Sequence, residues 1–184
     1  EGGGDLIWQI GTGYFGCRNN DGTFNGELFA NQVAHPNIKM VEIKLSQGAK
    51  PGHGGILPAA KNTPEIAAIR KVEPYTTVAS PPGHSAFSDV KGLTKFITEL
   101  RSLSNGKPIG IKLCVGSKKE FNNMVDAMKE AQVFPDFITI DGAEGGTGAA
   151  PLEFSDSLGM PLYDALSFAH HSLTQKQEIG RAHV

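Results

Sequence analysis

The sequence holds little that would take the protein to a bilayer, a nucleic acid or an oxidising compartment. No apolar run approaches the ~20 residues that cross a membrane. Lys and Arg total 17 against 19 Asp and Glu, a formal net charge of −2, so there is no basic excess to meet a phosphate backbone. Only two cysteines occur, Cys17 and Cys114, with no CxxC pair. That argues against a disulfide scaffold and fits a reducing, cytoplasmic setting, with each thiol read as a small buried hydrophobe. Tandem repeats, low-complexity tracts and linkers are all missing, and 184 residues suit one domain. The length nevertheless falls short of the ~250 residues typical of a closed (β/α)8 barrel. An initiator Met is missing too, so the lack of a signal peptide carries no weight.

What is abundant is glycine, 23 residues whose clusters follow apolar runs. The run Met40–Leu45 reads as a strand, and Gln47-Gly-Ala-Lys50-Pro-Gly-His-Gly-Gly55 follows it. No core needs that composition. Gly lets backbone approach a ligand, and Pro51 stiffens the loop that carries Lys50.

The pattern alternates between strand and helix. Leu6–Ile10, Met40–Leu45, Thr76–Ala79, Pro108–Leu113 and Phe137–Asp141 read as strands. Helices are expected over Glu27–Val33, after Thr63-Pro64-Glu65, over Asp89–Ser102, after the capping box Ser117–Glu120, and over Leu162–Leu173. Buried stripes are expected at Val90, Leu93, Phe96 or Ile97, Leu100 and Leu103; at Phe121, Met124 or Val125, Met128 and Ala131; and at Leu162, Ala165 or Leu166, Ala169 and Leu173. Ser104-Asn-Gly106 supplies the stop for the third helix.

Such alternation means parallel strands with helical crossovers. Ligand-like clusters follow Ile10, Leu45, Ala79, Leu113 and Ile140. Loops at every strand C-terminus converge in a barrel, whereas an open sheet brings them together only at its switch point. The expected fold is therefore α/β, part of a (β/α)8 TIM barrel with about five parallel strands.

Five motifs carry a resemblance: Gln9-Ile-Gly-Thr-Gly-Tyr-Phe-Gly16, Gln47-Gly-Ala-Lys-Pro-Gly52, Ser80-Pro-Pro-Gly-His84, Ile111-Lys-Leu113 and Asp141-Gly-Ala-Glu-Gly-Gly-Thr-Gly-Ala149. In that order they resemble the FMN-binding synthase domain of glutamate synthases, and more closely the shorter stand-alone glutamate synthase-like proteins. The resemblance covers Gly4 to about Pro161. It implies an FMN-dependent oxidoreductase in which ammonia adds to the keto carbon of 2-oxoglutarate and the imine takes a hydride from reduced FMN. Electrons would come from an NAD(P)H-linked subunit or from ferredoxin. An iron–sulfur cluster would belong to the full-length parent only, since this stretch lacks the cysteines for one.

The resemblance also implies roles for residues. Lys50 and Lys112 are the catalytic candidates. Gln47, Gly48, Lys50 and Thr147 would bind the oxoacid. Thr12, Gly13, Ser80, Lys112, Asp141, Gly145, Gly146 and Gly148 would hold the flavin. Lys112 sits at a strand end, where a cation stabilises the negative charge of a reduced ring; its alternative is a pairing with Glu42 or Asp141. Lys44 has a similar setting and ranks below it. Gln47 could equally brace its own loop, as could Asp141. Asp141 or Glu144 could move a proton, and His84 could act as an acid or base or cap a turn.

Three departures stand out. Ile56 occupies a place where the large glutamate synthases carry a Gln of the substrate site. His53 replaces a Glu, and His84 stands alone where they pair two His residues. An FMN-barrel dehydrogenase or isomerase acting on another small anion is therefore the alternative, followed by an inactive truncated module. At the far end, Ile179-Gly-Arg-Ala-His-Val184 is what one frame of a common sequencing adapter encodes. Residues 179–184 are expected to be read-through, and 1–178 to be part of one domain.

Overall fold

A computed structural model describes residues 3–48, 54–144, 150–154 and 157–176. Four strands, β1 (Leu6–Ile10), β2 (Ile38–Lys44), β5 (Ile109–Leu113) and β6 (Ile138–Ile140), form one wholly parallel sheet. Their spatial order, β1-β2-β5-β6, is their order along the chain. Helices α1 (Gly26–Val33), α3 (Val90–Leu103) and α4 (Lys118–Ala131) cross over between neighbours, and α5 (Leu162–Gln175) follows the last strand.

Pairing register divides the sheet into two faces of opposite character. Trp8, Ile10, Val41, Ile43, Ile109, Ile111, Leu113, Ile138 and Ile140 align on one. This face joins Phe29, Leu93, Phe96, Phe121, Val125, Ala165 and Ala169 from the four helices in a single core. The other face carries Gln9, Glu42, Lys44, Lys112 and Thr139. A doubly wound sheet would have both faces apolar; here one side alone takes the helices.

Gly110 has a specific reason on that polar face. The ring of Phe137 lies over it, 2.3 Å from where a Cβ would stand. Across this gap Glu42 reaches two strands: it accepts from Gln9 Nε2 at 2.5 Å and from Thr139 Oγ1 at 2.6 Å.

The expected third parallel strand is not one. Between β2 and α3 the chain makes an excursion built from β3 (Ile56–Leu57), a 3-10 turn (Ala59–Lys61), α2 (Pro64–Arg70) and β4 (Val78–Ala79). Val78 and Ala79 pair antiparallel with Leu57 and Ile56, outside the main sheet, and β2 pairs with β5 directly. Thr76, Thr77 and Ala79 are exposed, so the segment lacks the two covered faces a central parallel strand requires. Buried Asn62 ties the excursion shut, donating to the carbonyls of Glu73 (2.7 Å) and Thr76 (3.0 Å). Among the described residues the parallel sheet thus has four strands where the periodicity suggested about five.

Helix boundaries follow their caps. Asn25, Thr63, Asp89 and Ser117 each accept from a backbone N–H in the first turn. Asn105 and Gly106 take positive φ after α3, as the stop signal required. Two stripes end early: Ala131 is exposed at the end of α4, and Leu162 is exposed at the start of α5.

Candidate functional site

The loops that leave β1 and β2 meet the excursion around a cavity of about 510 Å3, whereas the loop after β5 lines a different one. Thr12 and Gly13 enter from the β1 loop, Gln47 from the β2 loop and Ser80 from the end of the excursion. These four residues, singled out from the sequence, line one space. Ser80 arrives there although β4 is not part of the sheet, because its N–H donates to Gly55 O at 2.8 Å.

Beside that cavity the polar face supplies its charges. Lys44 and Lys112 are cross-strand partners on β2 and β5. Lys44 donates from Nζ to Gln47 Oε1, so Gln47 does brace its own loop as well as line the cavity. Lys112 Nζ pairs with Asp141 Oδ2 at 3.1 Å, both side chains being half-buried. Asp141 Oδ2 also accepts from Gly48 N–H at 3.3 Å. Gly48 must be glycine, since a Cβ would stand 2.1 Å from Gly142 O. The carboxylate therefore ties the β2 loop to the β6 loop and holds the ammonium between them.

Glu144 and His84 each have structural partners. Glu144 accepts from Leu162 N–H with both oxygens, at 2.8 and 3.0 Å, and caps the start of α5; this gives the carboxylate a structural role there. His84 is buried and bridges two loops, Nε2 lying 2.9 Å from Lys44 O and Nδ1 3.0 Å from the Tyr14 hydroxyl. A carbonyl only accepts, so Nε2 carries the hydrogen. The Tyr14 hydroxyl accepts from Ala86 N–H at 3.1 Å and gives its own hydrogen to Nδ1. Burial pushes the imidazole pKa down, partly opposed by the bond to Lys44 O, and pushes the Tyr14 phenol up. With both nitrogens engaged, the ring braces the two loops, and it also lines the second cavity described below.

Lys50 and His53, together with Gly145, Gly146, Thr147 and Gly148, lie outside the described residues. Two cavity residues carried no local signal. Lys61 and Arg70 fold back from the excursion onto the same cavity, joining Lys44. Among the described residues that line it there are three cations and no carboxylate. Arg70 ends α2, and only the tertiary return of that helix brings it to the site. Ile56, 62% exposed, stands on the same wall.

A second cavity, about 580 Å3, opens on the helix side between the starts of α3 and α4 and is walled by Phe87, Leu93, Phe121 and Met124. Both cysteines are buried. Burial pushes the Cys17 thiol up to about 12; burial, then the negative charge of Asp141, raises that of Cys114. Among the described residues no cluster of three or more His, Cys, Asp or Glu could hold a metal, and no helix is long and apolar enough to cross a membrane.

Fold and site together define a parallel α/β protein whose strand ends form a polar, cation-rich mouth. A family model described as the conserved region in glutamate synthase matches residues 1–184. The chain is 42% identical over 175 residues to the glutamate synthase large subunit-like protein YerD of Bacillus subtilis, covering 95% of this chain and 33% of that protein. It is 32% identical over 172 residues to the archaeal glutamate synthase [NADPH] of Methanocaldococcus jannaschii, covering 93% and 30%. Against the ferredoxin-dependent glutamate synthase of Pyropia yezoensis it is 38% identical over 141 residues, 77% of this chain and 9% of that one. The chain belongs to the glutamate synthase family. It spans about a third of the length of the first two relatives and less than a tenth of the third.

Proposed function

We propose that this chain is part of an FMN-dependent (β/α)8 barrel that reductively aminates 2-oxoglutarate, or a related 2-oxoacid, with ammonia to give the amino acid. One observation carries the reading: the polar face of the sheet, with Lys44 and Lys112 side by side, runs into a mouth whose described lining residues include three cations and no carboxylate. Four consecutive parallel strands in chain order, helices on one face, are what half such a barrel would contribute.

The donor set suits a flavin. Hydroxyls of Thr12 and Ser80 and the amide of Gln47 can meet ring carbonyls, and Lys112, steadied by Asp141, can face the edge that gains negative charge. When bound, FMN would supply the hydride. This chain's residues do the rest: Arg70 and Lys61, with Lys50 from the adjacent loop, would orient the carboxylates of the oxoacid. By the family resemblance, Thr147 would bind the oxoacid, and Gly145, Gly146 and Gly148 would hold the flavin. Reducing power would come from ferredoxin or an NAD(P)H-linked partner, dependences that the names of relatives carry. An iron–sulfur cluster would sit elsewhere in the longer protein.

A second reading is favoured by Ile56. An apolar side chain exposed on the cavity wall suits a substrate with an apolar portion there, and so a flavin barrel acting on a different small anion. Purifying the full-length protein, identifying any released flavin and assaying glutamate formation from 2-oxoglutarate and ammonium separates the readings. Flavin with glutamate formation supports the first. Flavin without it supports the second, and a flavin-free protein contradicts both.

A further inference from the structure

Arg70 does not stand by itself at the cavity. Its guanidinium carbon lies 4.6 Å above the centre of the Phe15 ring, and that of Arg18 lies 5.7 Å from the same ring. Phe15 therefore carries a cation from each of two elements: Arg18 from its own loop and Arg70 from the excursion. The ring edge packs over Gly13, and Arg18 Nη1 donates to Gly13 O at 3.2 Å, which fixes the loop beneath the ring. Gly13, Phe15 and Arg70 all line the cavity. The last turn of α2 is followed by Lys71 in the left-handed conformation, so the backbone leaves just after Arg70. The ring ties the end of α2 to the β1 loop.

We infer that Phe15 is a positioning residue for anion recognition: its face holds the Arg70 guanidinium over the cavity, so that α2 and the β1 loop act as one carboxylate clamp. The inference rests on the anionic-substrate reading above. The π face attracts a cation electrostatically and constrains a planar guanidinium in orientation, which leaves its N–H fork free for a carboxylate. An aliphatic side chain of similar volume would fill the space without orienting the cation. Exposed to partly buried cation–π contacts correspond to roughly 3- to 30-fold in an equilibrium constant.

The test uses the full-length protein and glutarate, a dicarboxylate with no keto group, in calorimetric titration, alongside the KM for the oxoacid. R70M is expected to weaken glutarate binding more than F15L does while leaving it measurable at high glutarate concentration. F15L is expected to weaken it roughly 3- to 30-fold and to raise KM with kcat little changed, while F15Y, which keeps the ring, restores both. In the double variant F15L/R70M the Phe15 change should add nothing, because the group it orients is gone. A packing-only role predicts instead that F15L and R70M effects on thermal stability and binding add, and that F15Y rescues no better than F15L; either result overturns the inference. If the parent protein binds no dicarboxylate at all, the anionic-substrate reading fails first. If it binds and R70M weakens binding but F15L does not, only the clamp fails.

Discussion

Lys44 and Lys112 face each other across a parallel rung, on the face of the sheet that takes no helices. Two cations on neighbouring strands repel unless each is answered. Lys44 is answered by Gln47, an amide, and Lys112 by Asp141, a carboxylate. The two ammonium groups thus reach the mouth of the sheet side by side, each held in place by a residue of the loop that follows its own or the neighbouring strand.

Below that rung, Glu42 ties β1, β2 and β6 through Gln9 and Thr139. Thr139→Val keeps the shape and removes one hydrogen bond to a buried carboxylate. A loss of about 1.5–3 kcal/mol in unfolding free energy is expected. Urea denaturation of T139V beside the parent protein measures it, and an unchanged midpoint would mean that the bond is not made.

His84 sets a pH dependence. Its pKa is lowered from the ordinary 6.5 by burial, so the unfolded chain binds a proton more readily than the folded one. By linkage, stability rises with pH through that window. The full contribution is present above about 6.5 and is lost as pH falls toward the depressed folded value. The opposing groups are the Tyr14 hydroxyl, the Lys44 carbonyl and the ring of Phe87, stacked 4.9 Å away; none offers a negative charge to hold an imidazolium. Denaturation midpoints measured from pH 8 to 5 should fall, and should fall less in H84Q.

The Cys17 thiol, held at about 12, is almost wholly protonated at neutral pH and is fully buried. Thiolate is the reacting form. An alkylating reagent should leave Cys17 unlabelled for hours in native protein and label it within minutes in denaturant, read by peptide mass spectrometry. Rapid native labelling would place Cys17 outside the core.

Much of this arrangement can be read from the sequence because it is written locally. The caps Thr63, Asp89 and Ser117 set helix starts, and Asn105-Gly106 sets a stop, each within a few residues of the effect. The β1, β2, β5 and β6 loops are marked by the glycines and polar residues that follow each strand, and Thr12, Gly13, Gln47 and Ser80 do meet at one cavity. What local pattern could not give is the excursion. Thr76–Ala79 has strand-like composition, and only its antiparallel pairing with Ile56–Leu57 and its exposure show that it stands outside the sheet. Lys61 and Arg70 read as ordinary helix-end cations until the excursion folds them back. The partner of Lys112 was open between Glu42 and Asp141. Cross-strand register resolves it, since Glu42 is taken by Gln9 and Thr139.

The most direct test of the central proposal is the midpoint potential of flavin bound to the full-length protein, compared between the parent sequence, K112M and the exposed-lysine control K119M. A cation at the ring edge favours the reduced, negatively charged form, so K112M should shift the potential to more negative values while K119M leaves it unchanged. Equal potentials in all three proteins, or no bound flavin in the parent, would contradict the account.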